Sequence, residues 1–200
     1  FDSIDFGKVY GVMCELGLSK PATTLLTNIC TYNSILPQGA PTSPQISNLV
    51  MKRFDERIGK WCGERGINYT RYCDDMTFSG GKAELNAKEI TQLVSRALRK
   101  MGFKLNMKKT TLIGSSQRQQ VTGIVVNEKA QISSKQRREI RQEIYYCKKY
   151  GVSQSLFFKG ADIAPEKYIN SLLGRISFAL QIDPADVKMH EYFKVAKKLK

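Results

Sequence analysis

Ile67-Asn68-Tyr69-Thr70-Arg71-Tyr72-Cys73-Asp74-Asp75-Met76-Thr77-Phe78-Ser79 is the stretch on which the fold turns. Its two flanks are rich in β-branched and aromatic residues, with Cys73, Asp74 and Asp75 between them, so it predicts a β-hairpin with acids at its tip. Adjacent carboxylates repel, and nothing in strand formation asks for them there. A divalent cation relieves the repulsion, and hard oxygen donors suit Mg²⁺, with Mn²⁺ admitted in its place. The plainer alternative for an isolated Asp-Asp pair is a polar turn.

Upstream, Leu36-Pro37-Gln38-Gly39-Ala40-Pro41 is too rich in Pro and Gly for regular structure. Ser43 followed by Pro44 predicts an N-cap and a first helical residue. The helix it opens carries Ile46, Leu49, Val50, Phe54, Ile58 and Trp61 as one apolar stripe. Trp61 on that stripe reads as core before it reads as a stacking platform. Residues 7 to 16, with Val9, Val12, Met13 and Leu16, predict an earlier helix stopped by Gly17, and Pro21 opens another toward Cys30.

Downstream, Asn86 with Glu89 three residues on predicts a capped helix, whose inner face is Ile90, Leu93, Val94, Ala97, Leu98 and Met101. Gly102 ends it. Short strands are expected around residues 110 to 113 and 119 to 126. After Ser133-Ser134 the pattern turns wholly helical. One helix covers residues 135 to 150 and stops at Gly151; Pro165 opens the next, with Ile169, Leu172, Leu173, Ile176 and Leu180 on one face; Asp183-Pro184 is expected to cap a last one. A boundary near residue 130 therefore separates an α+β part from a helical part.

Charge points to the partner. Thirty-two Lys and Arg stand against 18 acids, a net +14 that favours a polyanion. The cations gather in three runs. Arg96, Arg99, Lys100, Lys104, Lys108 and Lys109 form the first, Lys135, Arg137, Arg138, Arg141, Lys148 and Lys149 the second, and Lys194, Lys197, Lys198 and Lys200 the third. Any single run would pass as a solvated helix face. Tyr145 and Tyr146 are neighbours on a helix, so at most one can face a core. Five scattered cysteines, without a Cys-x-x-Cys pair and with His190 the lone histidine, argue against a zinc site or a disulfide framework. No apolar run is long enough to span a membrane. The first residue is not Met and no signal-peptide pattern follows, so the chain is expected to begin partway through a longer protein.

Tyr72-Cys73-Asp74-Asp75 resembles the Tyr-x-Asp-Asp box of reverse transcriptases. Leu36-Pro37-Gln38-Gly39-Ala40-Pro41-Thr42-Ser43-Pro44, about 30 residues earlier, looks like that family's preceding box, a Gln-Gly loop that leads into a helix of the palm. Gly102-Phe103-Lys104-Leu105-Asn106 with Lys108-Lys109-Thr110 is similar to the next palm motif. Gln120-Val121-Thr122-Gly123-Ile124 resembles a Val-Thr-Gly segment of bacterial retron enzymes, and Gly174-Arg175-Ile176-Ser177-Phe178 resembles the thumb of retron and group II intron enzymes. Cys73 departs from the Ala usual in retron enzymes, a small thiol for a methyl.

The resemblance implies an α+β fold: a polymerase palm over residues 1–130, with a small antiparallel sheet (a three-stranded core) and packed helices, followed by an all-helical thumb over 131–200. It implies an RNA-directed DNA polymerase of retron type. Asp74 and Asp75 match the catalytic, metal-binding carboxylates. Gln38 and Gly39 match the loop that shapes the nucleotide pocket, and Lys109 a cation near the triphosphate, its alternative being plain surface. Phe1 matches the position that excludes the ribose 2′-hydroxyl, which would put the third metal-binding Asp five positions upstream; Asp2 and Asp5 fall after that motif. Val121, Thr122 and Gly123 match a region near the primer, and Lys135, Arg138 and Arg141 a thumb helix that meets primer–template phosphates. The implied partners are an RNA template, the RNA/DNA hybrid, deoxynucleoside triphosphates and, as an open case, an effector protein, in the bacterial cytoplasm and without a membrane. Systems of this type are associated with antiviral defence. The 200-residue chain is expected to be inactive alone. The alternatives are a group II intron or diversity-generating reverse transcriptase, and a non-catalytic RNA-binding module.

Overall fold

The computed structural model describes residues 1–200 except Lys82, Ala161 and Lys200, so the last cation of the third basic run lies outside the described residues. The chain divides into two compact units, Phe1–Leu112 and Ile113–Lys200.

The first unit starts with α1 (Phe6–Glu15) and α2 (Lys20–Cys30). Asp5 caps α1, accepting the Lys8 backbone N–H at 2.9 Å and the Lys8 ammonium at 2.6 Å; those bonds hold its carboxyl below the usual range. After α2 the chain returns along its own start. Phe6 N–H donates to the Ser34 carbonyl at 2.9 Å, and Leu36 N–H to the Ile4 carbonyl at 2.9 Å. Leu36, Ile4, Val9, Met13 and Ile46 close a small core beneath this return.

Next comes α3 (Ser43–Gly63), whose buried line is Ile46, Met51, Phe54, Ile58 and Cys62. Leu49, expected in that line, is 37% exposed, and Trp61 packs only at the edge of the core, with the Arg65 guanidinium 4.2 Å from its ring. The cap also differs. Thr42 is the N-cap, and Ser43 is the first helical residue, its hydroxyl donating to the Pro37 carbonyl at 2.6 Å. Strands β1 (Asn68–Tyr72) and β2 (Asp75–Ser79) then pair antiparallel, Tyr69 opposite Phe78 and Tyr72 opposite Asp75. Alternation sends Tyr69, Arg71, Met76 and Phe78 to one face. Three of these pack with α3 and α4 (Ala87–Lys100) around Phe54, Ile58, Val94 and Leu98. Full burial of such side chains stabilises by roughly 1.5–3 kcal/mol each. Asn86 caps α4 through the Glu89 N–H at 3.2 Å, and Gly102, at φ +79°, ends it in the left-handed region.

The expected three-stranded sheet is not what forms. The described residues hold two separate two-stranded sheets, and 110–113 carries no strand. Asn106 is the reason: its side chain accepts from Lys108 N–H at 3.1 Å and its carbonyl from Lys109 N–H at 3.1 Å, while Thr110 N–H turns to Met107. These turns take the backbone N–H of Thr110, where the strand was expected to begin.

In the second unit, β3 (Gln120–Val121) and β4 (Ile124–Val125) form a short hairpin. Val125 and Gln131 exchange backbone bonds of 2.9 and 3.0 Å, tying it to the segment that enters α5 (Ser134–Tyr150). This tie draws the hairpin into the helical unit, although the composition changes only near residue 130. Ser133 and Gln136 form a capping box on α5. Then follow α6 (Val152–Lys159), which the sequence pattern does not announce, α7 (Pro165–Ile182) and α8 (Val187–Lys198). The cap of α8 is Asp186, whose carboxylate takes the Met189 N–H at 3.2 Å. Asp183, expected in that role, instead closes α7 onto the Ala179 carbonyl and accepts Lys129 at 2.6 Å.

Ile140, Ile144, Leu172, Ile176 and Met189 form the core of this unit. Beside it Glu143, 6% exposed, receives Arg175 through two nitrogens, Lys159 at 2.8 Å and the Tyr168 hydroxyl at 3.0 Å. One carboxylate thereby ties α5 to α6 and α7. Burial alone would raise Glu143, but the bonds from Arg175 and Lys159 outweigh it and hold the carboxyl below the ordinary range. Among the described residues no helix is long and apolar enough to cross a membrane.

Candidate functional site

Tyr72 paired with Asp75 leaves Cys73 and Asp74 as a two-residue turn. Of the pair only Cys73 has a positive φ, +52°, as tight two-residue hairpin turns require of their first residue. Glycine takes that conformation freely; a cysteine there costs on the order of 1 kcal/mol, so something else must hold the turn.

Arg71 holds it. Its Nη1 donates to the Cys73 carbonyl at 2.8 Å and to Asn48 Oδ1 at 3.2 Å, while Nε and Nη2 grip Asp55 at 2.9 and 2.5 Å. The Tyr69 hydroxyl donates to the same carboxylate at 2.8 Å. Asn48 and Asp55 are two turns apart on one face of α3, and Tyr69 and Arg71 are two apart on one face of β1. Strand and helix are thus clamped through one carboxylate, and the clamp ends on the turn backbone. The Arg71 side chain is 6% exposed. Its bond to Asp55 raises its own pKa, and burial followed by the Asp55 bond pushes the Tyr69 hydroxyl far above its ordinary value, so it stays a neutral donor.

Asp74 and Asp75 are exposed, and neither enters an ion pair among the described residues. Alternation places Asp75 on the hairpin face opposite the one Arg71 and Tyr69 turn to α3. Two free carboxylates suit a Mg²⁺ ion, which takes one or two such ligands with waters and substrate phosphates. Among the described residues no group of three or more His, Cys, Asp or Glu is placed to hold a metal, so the pair stands without a third.

The structure brings some of the other expected residues together. The return of residues 34–36 along 4–6 carries Gln38 to the chain start, where its Nε2 lies 3.5 Å from Asp2 Oδ1. Gly39 needs its φ of +86°, and a Cβ there would meet nothing within 4 Å. Phe1 is 37% exposed, its carbonyl accepting from Ile4 N–H at 2.8 Å. Lys109 is exposed in the turns after α4, and among the described residues no bond ties it to Asp74 or Asp75. Val121, Thr122 and Gly123 lie in the second unit, where Thr122 at φ +47° and Gly123 at +88° make the β3–β4 turn. Lys135, Arg138 and Arg141 are exposed on α5.

Asp55, Asn48, Tyr69 and Arg71 were not expected at the site. The signal was present in the spacing: a polar pair at i, i+7 on a helix, and a Tyr/Arg pair at i, i+2 on the strand that carries the acids.

Residues 1–138 match the family described as reverse transcriptase (RNA-dependent DNA polymerase). Retron Ec86 reverse transcriptase of Escherichia coli is 39% identical over 147 residues, covering 73% of this chain and 46% of that protein. Retron Mx65 reverse transcriptase of Myxococcus xanthus is 32% identical over 164 residues, covering 72% and 38%. Retron Ec83 reverse transcriptase of Escherichia coli is 30% identical over 187 residues, covering 88% and 57%. The chain spans about half the length of the curated relatives it matches. With the acidic hairpin, the Gln-Gly loop and these matches agreeing, the chain belongs to the reverse transcriptase (RNA-dependent DNA polymerase) family, among its retron-type members.

Proposed function

We propose that this chain carries the palm (residues 1–130) and thumb (131–200) of an RNA-directed DNA polymerase of retron type, which copies a structured noncoding RNA into DNA in the bacterial cytoplasm. One observation supports it above the rest: two exposed carboxylates, Asp74 and Asp75, without cation partners among the described residues, on a turn whose backbone a buried arginine holds. When bound there, divalent ions (Mg²⁺, or Mn²⁺ in its place) would favour the attacking 3′-hydroxylate and the leaving pyrophosphate. The protein's part is positional. Arg71 and Asp55 fix the turn, so that Asp74 and Asp75 need no reorganisation as charge develops. The Gln38–Gly39 loop, set beside the chain start, shapes the deoxynucleotide pocket, and Phe1 bars a ribose 2′-hydroxyl by contact. Lys109 serves the triphosphate. Val121, Thr122 and Gly123 lie along the primer, and Lys135, Arg138 and Arg141 meet primer–template phosphates without reading sequence.

The reading requires a further Asp ahead of Phe1 in the natural reading frame. It is tested by primer extension on an RNA template with Mg²⁺, using the protein in that frame, with Asp75→Asn alongside. Synthesis that vanishes in the variant is the expected result. A folded protein that binds RNA and makes no DNA would refute it, and leave the binding-module reading that the basic face of α5 also favours.

A further inference from the structure

Five aromatic rings stand outside the core of the second unit, on α5 and α6. Tyr145, Tyr146, Tyr150, Phe157 and Phe158 are 53, 37, 41, 81 and 60% exposed. They touch in series. Centroids are 5.7 Å apart for Tyr145 and Tyr146, 6.0 Å for Tyr146 and Tyr150, 5.7 Å for Tyr150 and Phe158, and 6.3 Å for Phe158 and Phe157. The inward positions of the same helices are held by Ile140, Ile144, Cys147, Ser155 and Leu156, so the rings are not needed to close the core. A contiguous aromatic surface left in water marks a binding face.

Its surroundings select the occupant. Lys149 Nζ lies 5.6 Å from the Tyr145 centroid and 5.0 Å from that of Tyr150. Lys135, Arg138, Arg141 and Lys148 are exposed on the same helix, and none pairs with a carboxylate among the described residues. Of the two acids of α5, Glu143 is buried and turned inward, and Glu139 is half-buried. The unit as a whole has 16 Lys and Arg against 8 Asp and Glu. A second copy of the chain would bring like charge against like. A duplex hides the faces of its bases and offers the rings nothing. A strand with free base faces and a phosphate backbone satisfies both features at once.

We infer that the ladder from Tyr145 to Phe157 is a stacking platform for unpaired nucleotides of single-stranded RNA, with Lys148 and Lys149 meeting the phosphates. The choice of RNA over DNA rests on the polymerase reading above; the stacking chemistry does not.

The test is fluorescence anisotropy with the protein in its natural reading frame. The probes are an oligoadenylate RNA of about twelve nucleotides, within the range of sites on such surfaces, its DNA counterpart, and an RNA hairpin with a fully paired stem. Leucine replaces Tyr146, Phe157 and Phe158, singly and together, which keeps apolar area and removes the π face; melting curves confirm that each variant is folded. Affinity for the RNA oligomer should fall about tenfold for each ring removed. The salt dependence should stay as it was, because no charge has changed. Leucine variants that bind the RNA as tightly as the parent overturn the platform, as does a loss of self-association in sedimentation with RNA affinity intact. Tighter binding of the DNA oligomer overturns the assignment to RNA. Asp75→Asn should bind the RNA oligomer normally while making no DNA, so the platform and the polymerase reading fail or stand separately.

Discussion

Replacing Arg71 with Lys isolates what the clamp does, because it keeps the charge and removes the fork. A single ammonium can still pair with Asp55, but it cannot also reach the Cys73 carbonyl and Asn48, which Arg71 Nη1 contacts at 2.8 and 3.2 Å. A part-buried carbonyl left without its charged donor costs about 1–3 kcal/mol; with the Asp55 pair partly kept, the loss should be about 2 kcal/mol. Against a usual domain stability of roughly 5–15 kcal/mol, the variant stays folded. The turn it leaves behind is free to relax from its strained φ, and a shift of about 1 Å at a reacting centre is enough for roughly a hundredfold loss of rate. Urea melts followed by tryptophan fluorescence give the stability. Primer extension across a Mg²⁺ titration gives the rate and the metal midpoint, which should move to higher concentration. Asp55→Asn should behave likewise, and the double variant should show about 0.5–1.5 kcal/mol of coupling in stability. A folded Arg71→Lys protein with a rate within about twofold of the parent and an unmoved Mg²⁺ midpoint would refute the positioning role.

Glu143→Gln should destabilise the second unit by about 2 kcal/mol, less than a fully buried pair because Arg175 and Lys159 remain 39% and 44% exposed. Its sign with pH follows from the lowered carboxyl: the contribution is whole above the ordinary glutamate value of 4.5 and fades as pH falls through the folded value. Circular-dichroism melts should therefore show parent and variant converging below that pH, and a gap that widens in acid would sink the assignment. At the turn, Cys73→Ala should keep both synthesis and stability to within about 0.5 kcal/mol. Cys73→Val, with its branched Cβ at φ +52°, should cost about 1–2 kcal/mol more by the same melts; equal costs would show that the turn is not held where it stands.

Much of the fold was legible because its signals are local. The run from Ile67 to Ser79 declares its own hairpin, α3 and α4 show their stripes, and Gly102 and Gly151 stop helices where expected. What escaped was set by tertiary choices. No stripe announces α6, because Phe157 and Phe158 sit side by side and both face solvent. The strand expected at 110–113 was lost to the turns around Asn106, and Asp186 outcompeted Asp183 for the cap of α8. The acids proposed for the site could be singled out because strand formation does not ask for adjacent carboxylates at a hairpin tip, and the other motifs in order with them weighed against a mere polar turn. The clamp behind them could not be singled out, because Asp55 looks like any solvated acid on a helix until Arg71 is seen to reach it.

Trp61 has a spectroscopic consequence. It is the chain's one tryptophan, and it sits at the edge of the core built by α3, α4 and the acidic hairpin. Emission excited at the red edge of the tyrosine band therefore reports that unit alone. Far-UV ellipticity weighs both units, since four of the described helices fall in each. Two probes in one cuvette thus follow one unit and the whole molecule. If their transitions coincide, the units melt as one cooperative body; if they part, the order of melting can be read without cutting the chain.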